Sequence, residues 1–324
     1  MKSLQFKNFG EPTAVLEIVE KAVPELQADE IQVKMLLRPI NPYELMVVRG
    51  RYSFKPELPA VPGFEGIGIV EQVGQNVHTI KVGQKVLAMA FTGTWQEVVV
   101  GKPAAFLPLP ENISDESAAL LANPLTCYVI LKEFFNIREG DWLLETASTT
   151  HVGRLVIQYA KLLGFNLISV VRNAAQKEEL AQLGAKNIIN LEEDTIASGV
   201  AKFNKEGVDF VLDSLGGENG GIAISQLKSG GKGVLLSKLS GKNLSVDSSV
   251  IIAKMLTITG YTSLYWFKQI TSQKQYEVVS AVLSLLAQKK IVPPVEAVYP
   301  LENFREAIAH SEKSGRQGKI LLKS

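Results

Sequence analysis

Three features of this 324-residue sequence join residue type to spacing in a way that could do chemistry. They are a hydroxyl-rich run, an arginine about 20 residues beyond it, and a tyrosine among prolines. The run is Thr146-Ala147-Ser148-Thr149-Thr150-His151-Val152-Gly153, set between an apolar segment and a helical one. A strand-to-helix turn holds phosphate well, because free backbone N–H groups and the positive end of the helix dipole face the ligand. As a glycine fingerprint the run is poor, with only Gly153 in the place of the helix-packing glycine. The hydroxyls of Ser148, Thr149 and Thr150 are candidate phosphate ligands, with His151 as a further donor and the backbone of Val152 at the helix start. The plain alternative is an N-cap run, which Ser and Thr favour anyway.

The arginine is Arg172, in Val170-Val171-Arg172-Asn173. An NAD-selective site usually has Asp or Glu at the end of the second strand, holding the ribose 2′-OH. A guanidinium there can instead pair with a 2′-phosphate through its planar fork, which points to NADP; the plain alternative is a surface arginine opening the next helix. Tyr52 offers a phenol with a reference pKa of about 10, protonated at neutral pH yet able to donate. Its plain alternative is an aromatic resting on Pro56 or Pro59. Metal chemistry has little to build on. His78, His151 and His310 are far apart in sequence, and the single cysteine, Cys127, allows neither a tetrathiolate site nor an intramolecular disulfide. Direct hydride transfer without a metal is the expected redox chemistry. Cys127 reads as a small buried apolar residue, and Asp213 as a loop-positioning acid.

These residues need elements to position them. Up to about residue 122 the sequence reads as short strands, at 31–37, 68–73 and 85–89, and the prolines of 39–63 exclude long helices there. Beyond Pro124 the pattern changes to apolar strands alternating with helices. Strands are expected at 142–146, Asn166–Val171, Asn187–Asn190, Val208–Asp213, 233–236 and 256–259, with helices at 152–163 and 174–183. Strands that are apolar throughout and alternate with helices mean a parallel sheet covered on both faces, a doubly wound α/β domain. The last stretch holds a helix at 273–289 and too few strands to fold alone, so it should return to the first domain. The expected division is 1–122, 123–262 and 263–324.

Lys and Arg number 34 against 33 Asp and Glu, with 46% hydrophobic and 21% charged residues. So even a balance gives no electrostatic argument for nucleic acid or an anionic membrane surface. The first residues lack the features of a signal or transit peptide, and no apolar run approaches the roughly 20 residues of a membrane span. A cytoplasmic protein is expected.

Several motifs together resemble the medium-chain dehydrogenase/reductase superfamily across the whole chain. They are Ile40-Asn41-Pro42, Pro62-Gly63-Phe64-Glu65-Gly66, Val208-Asp209-Phe210-Val211-Leu212-Asp213 and Gly315-Arg316-Gln317-Gly318-Lys319. Phe64 stands where alcohol dehydrogenases of the superfamily carry a histidine, and their four-cysteine lobe is missing, so the likeness is to the zinc-free branch. Arg49-Gly50-Arg51-Tyr52, Gly93-Thr94-Trp95, Asn123-Pro124-Leu125-Thr126-Cys127-Tyr128 and Val170-Val171-Arg172 are similar to mitochondrial-type 2-enoyl thioester reductases. The segment from Gly260-Tyr261 to Trp266-Phe267-Lys268 adds to this, and zeta-crystallin-like quinone reductases come next.

The resemblance implies a GroES-like β-rich catalytic domain joined to a Rossmann domain that binds NADP(H). It implies Tyr52 as the catalytic residue and Asn41, Asn123, Thr126 and Arg172 about the cofactor. It further implies Trp95, Tyr261 and Trp266 about the substrate, and a homodimer with no membrane or nucleic-acid partner. Relatives carry glycine where this chain has His151. The expected reaction is NADPH-dependent reduction of the C=C bond of a 2-enoyl thioester on coenzyme A or an acyl carrier protein. Two alternatives stay open, a quinone or enone reductase and a non-catalytic nucleotide sensor favoured by the eroded glycine turn.

Overall fold

The computed structural model describes residues 1–89 and 92–324, which form two compact units: Met1–Ala122 with Leu283–Ser324, and Asn123–Val282. In the second unit six strands make one sheet. Across it they run Asn187–Asn190, Asn166–Val171, Trp142–Glu145, Val208–Asp213, Leu227–Leu235, Thr257–Gly260. Each neighbouring pair is parallel. In chain order this is 3-2-1-4-5-6, the doubly wound arrangement, whose direction reverses between the first and fourth strands. Leu144, Ile168, Val170 and Val211 are buried in one core with Val200 and Ile224 from the covering helices. That two-sided burial is why these strands are apolar throughout.

Helix His151–Leu163 follows the first strand. Thr150 caps it by accepting the Gly153 N–H, and Gly164 ends it at φ 76°. Helix Ala174–Gln182 follows the second strand, capped by Asn173. The fifth strand begins at Leu227, earlier than its apolar residues suggest. Its polar Lys228–Lys232 half passes a register shift opposite Val208 and Phe210 before the apolar half pairs regularly.

In the first unit Ile31–Pro39 pairs antiparallel with Gly66–Val73 and Val98–Gly101, and Gly66–Val73 continues to Lys85–Ala88. The C-terminal strands complete this sheet: Lys319–Lys323 runs antiparallel to Leu37–Pro39, and Val295–Pro300 lies parallel to Lys319–Lys323. The chain returns to this unit at Leu283, inside the continuous helix Ser272–Ala287, rather than at residue 263. The proline-rich stretch holds one short helix, Pro42–Val48. Its prolines permit this because Pro42 sits at the first helical position. No helix among the described residues is long and apolar enough to cross a membrane.

Candidate active site

The hydroxyl-rich run is a strand-to-helix turn at the carboxyl end of the first strand of the doubly wound sheet. Its hydroxyls have different tasks. Ser148 is fully buried; it donates to the Glu145 carbonyl (3.0 Å) and accepts the Val170 N–H (3.0 Å), stitching the turn to the second strand. Its only proton is committed, which corrects the expectation of a phosphate-binding hydroxyl at this position. Thr149 and Thr150 are half-buried, and the backbone N–H groups of Thr149 and Val152 have no acceptor among the described residues. Those donors suit an anion. A Cβ on Gly153 would lie 2.2 Å from the Ser148 carbonyl oxygen, so the helix can pass this close to the turn only with glycine there. Ala147 takes φ 55°, a left-handed conformation that glycine adopts more easily than alanine.

The fourth strand completes the arrangement. The Thr146 hydroxyl donates to Asp213 (2.6 Å) and accepts the Ser214 N–H (2.9 Å), while Asp213 accepts the N–H groups of Leu215 and Gly216 (3.1 and 2.8 Å). Asp213 thus fixes both loops flanking the point where the strand order reverses. At the end of the second strand Arg172 is exposed, and its guanidinium has no partner among the described residues. No carboxylate occupies its position. Free turn donors, an obligatory glycine and an uncommitted arginine fit a dinucleotide carrying an extra phosphate.

Helix Ala122–Val129 presents Asn123 and Thr126, both half-buried. The Asn123 amide lies 2.9 Å from Nδ1 of His151, so the imidazole at the glycine position is tied to that helix. Thr126 sits beside Tyr261, whose phenol burial pushes up, with Thr126 pulling the other way. Trp266 is half-buried, edge-on to Phe267. Cys127 is fully buried and burial holds its thiol protonated, consistent with an apolar role. Below the turn Glu145 is 2% exposed, and burial pushes its carboxyl up to about 8. A carboxyl ending an apolar strand was the one signal for it.

In the first unit the motifs Ile40-Asn41-Pro42 and Pro62-Gly63-Phe64-Glu65-Gly66 meet. Glu44 accepts the N–H groups of Asn41 (2.6 Å) and Phe64 (3.0 Å), closing the capping box of helix Pro42–Val48 and binding it to the Phe64 backbone. The Asn41 amide donates to Tyr43 (2.7 Å) and Glu65 (3.0 Å), and its oxygen accepts from the Lys319 ammonium (2.5 Å). At 1% exposure, with all of this capacity in use, Asn41 supports the site rather than touching a cofactor, a correction to the sequence expectation. Glu65 also accepts the Ala122 N–H (3.2 Å). Burial pushes Glu44 up to about 8 and Lys319 down to about 8, with the carboxylates of Glu65 and Glu44 drawing Lys319 back up.

Tyr52 lies edge-on to Phe64, ring centres 6.0 Å apart, and Tyr43 flanks the same ring at 5.0 Å. Thus Phe64, standing at the histidine position of alcohol dehydrogenases, is a wall for the tyrosine, a contact no spacing in the sequence announced. Trp95 is fully buried, and its indole donates to the Pro39 carbonyl (3.3 Å). Gly63, at φ 113°, lets it pass, since a Cβ there would stand 2.7 Å from the indole. Trp95 therefore belongs to the core and not to a substrate pocket. His310 lies between Tyr299 and Glu296, at 2.9 and 3.0 Å.

Comparison with known proteins agrees with both units. A family profile described as alcohol dehydrogenase GroES-like domain matches residues 27–111, and one described as zinc-binding dehydrogenase matches residues 152–283. The mitochondrial enoyl-[acyl-carrier-protein] reductase of Homo sapiens is 31% identical, covering 99% of this chain and 88% of that one. Escherichia coli quinone oxidoreductase complexed with NADPH superposes with a TM-score of 0.87 at 28% identity, over 100% of both chains. The mitochondrial 2-enoyl thioester reductase heterodimer of Candida tropicalis shares the fold, with a TM-score of 0.90 at 23% identity over 100% of this chain and 99% of that one. With these matches along its whole length, the chain is an oxidoreductase of the medium-chain dehydrogenase/reductase superfamily.

Proposed function

We propose that the protein is an NADPH-dependent reductase of an activated C=C bond, acting on a 2-enoyl thioester of coenzyme A or of an acyl carrier protein. The observation that carries this reading is Tyr52 set edge-on against Phe64, a proton-bearing phenol beside a residue without metal-binding capacity. The full-length likeness to an enoyl-[acyl-carrier-protein] reductase supports the substrate class.

When bound, NADPH supplies the hydride. The chain must hold the dinucleotide, provide a proton and steady the charge that gathers on the thioester oxygen. In this reading the N–H groups of Thr149 and Val152, with the Thr150 hydroxyl, hold the pyrophosphate, and Arg172 holds the 2′-phosphate. Asn123 and Thr126 line the nicotinamide, with His151 fixing the Asn123 amide. Tyr52 donates the proton to the α-carbon. The buried set of Glu44, Asn41, Glu65 and Lys319 holds the backbone of Phe64 and so the ring against which Tyr52 rests. Tyr261 and Trp266 supply apolar surface to the acyl chain. The same reading makes the protein a homodimer.

A quinone reductase is the second reading, favoured by the likeness to the Escherichia coli enzyme over the whole chain. NADPH oxidation measured with crotonyl and longer enoyl thioesters beside a panel of quinones separates the two. Turnover of thioesters, falling about 100-fold in Tyr52→Phe, is the expected result for a lost general acid. Turnover of quinones alone would replace the first reading with the second, and an undiminished Tyr52→Phe would remove the proton donor.

A further inference from the structure

A buried charge lies beneath the phosphate turn. Arg154, on the first turn of helix His151–Leu163, is 4% exposed. Its Nε donates to the Thr149 carbonyl (3.3 Å), and its Nη2 pairs with Glu179 of helix Ala174–Gln182. The side chain leans toward the helix N-terminus, as helical side chains do, and this carries the charge back under the turn.

A buried ion pair is a poor choice for holding two helices together, because apolar side chains of similar volume do so as well or better. Where the pair sits is more informative. Of the G-x-G-x-x-G spacing the turn keeps only Gly153, with Ser148 and Thr150 in the first two places and His151 where relatives carry glycine, and so it lacks the close backbone approach that usually grips a pyrophosphate. The N–H groups of Thr149 and Val152 have no acceptor among the described residues. A guanidinium bonded to the carbonyl of Thr149 neutralises an acceptor that a neighbouring anion would meet unfavourably. It also places a fixed positive charge under those donors, where little water screens it.

We propose that Arg154 is a positioning and electrostatic residue for the cofactor pyrophosphate, replacing the grip lost with the glycines, and that Glu179 offsets part of its field. This rests on the reading of the turn as an NADPH site. It divides the phosphates between two arginines, Arg154 for the pyrophosphate common to NADH and NADPH, Arg172 for the 2′-phosphate alone.

The test is direct nucleotide binding, by fluorescence titration and calorimetry at fixed ionic strength, with thermal melts of each variant. Arg154→Met should weaken NADPH and NADH alike, by about tenfold, as for a lost charge near an anion. Arg154→Lys, which keeps the charge, should recover most of this, and Arg172→Ala should weaken NADPH only. Glu179→Gln should tighten both nucleotides by about threefold, the opposite of what a purely structural pair would do. The proposal falls if Glu179→Gln and Arg154→Met weaken binding together, if Arg154→Met affects NADPH alone, or if it affects neither nucleotide. If Arg154→Met does not fold, the sign of the Glu179→Gln effect decides. Failure of the unmodified protein to bind either nucleotide would overturn the NADPH reading itself, and this proposal with it; binding that ignores Arg154 overturns the proposal alone.

Discussion

Glu145 ends the first strand of the doubly wound sheet with a carboxyl group at 2% exposure, and its Oε2 has no hydrogen-bond partner among the described residues. Burial disfavours the charged form and pushes the carboxyl up to about 8. Unfolded, the same group titrates near the ordinary value of about 4.3. Between these values the folded chain holds a proton that the unfolded chain has lost. Its contribution to stability therefore falls as pH rises through that window, and is constant above it. Glu145→Gln removes the titration while keeping the shape. Its melting temperature relative to the parent should rise by several degrees between pH 5 and pH 8, because moving a carboxyl from about 4.3 to about 8 corresponds to a few kcal/mol lost over that window. Parallel curves from pH 5 to 8 would show that the carboxyl is solvated. At this scale the sequence is legible where position in the fold decides the surroundings, as for Arg172, which lies exposed at the end of the second strand. It is opaque where buried partners decide the role: Ser148 spends its proton on a strand, Asn41 spends its amide on Tyr43, Glu65 and Lys319, and Trp95 goes into the core.

Apolar runs and caps announce most elements. Asn166–Val171, Asn187–Asn190 and Val208–Asp213 lie where their apolar residues put them. Helix Pro42–Val48 was masked by prolines, although Asn41 and Glu44 are spaced as a capping box. The first half of Leu227–Leu235 was masked by Lys228, Gly230 and Gly231, which look like a turn and form an irregular strand. The turn at 146–153 shows why a fingerprint is weaker evidence than local geometry. Ala147 adopts the left-handed conformation regardless, Ser148 and Thr150 supply the hydrogen bonds, and only the third glycine is indispensable. Gly153→Ala tests this. Its Cβ would meet the Ser148 backbone at 2.2–2.6 Å, and a backbone cannot turn aside as a side-chain tip can. A loss of about 1–3 kcal/mol in urea unfolding is expected, with NADPH binding abolished. A variant as stable as the parent would mean that the helix start can slide.

The sheet of the second unit has two edge strands, Asn187–Asn190 and Thr257–Gly260, and the second bears on assembly. Thr257–Gly260 is the last strand in the order, paired on one side with Leu227–Leu235 and, among the described residues, with nothing on the other. Preceding it in the chain, Ile252 and Met255 are 76% and 82% exposed. Met255 also holds φ 51° at the end of helix Ser248–Lys254, a position where glycine would be less strained. A strained, exposed methionine just ahead of an unpaired strand edge is a liability in a monomer and an asset in an interface. A two-fold axis lets such an edge pair with its own copy, antiparallel, and buries the same side chains from both subunits. A homodimer joined there is expected, with Ile252→Glu combined with Met255→Glu sedimenting as a monomer at micromolar concentration. The double variant should keep its far-ultraviolet circular dichroism, because neither side chain supports the core. A monomeric parent, or a double variant that still dimerises, would move the interface elsewhere or abolish it.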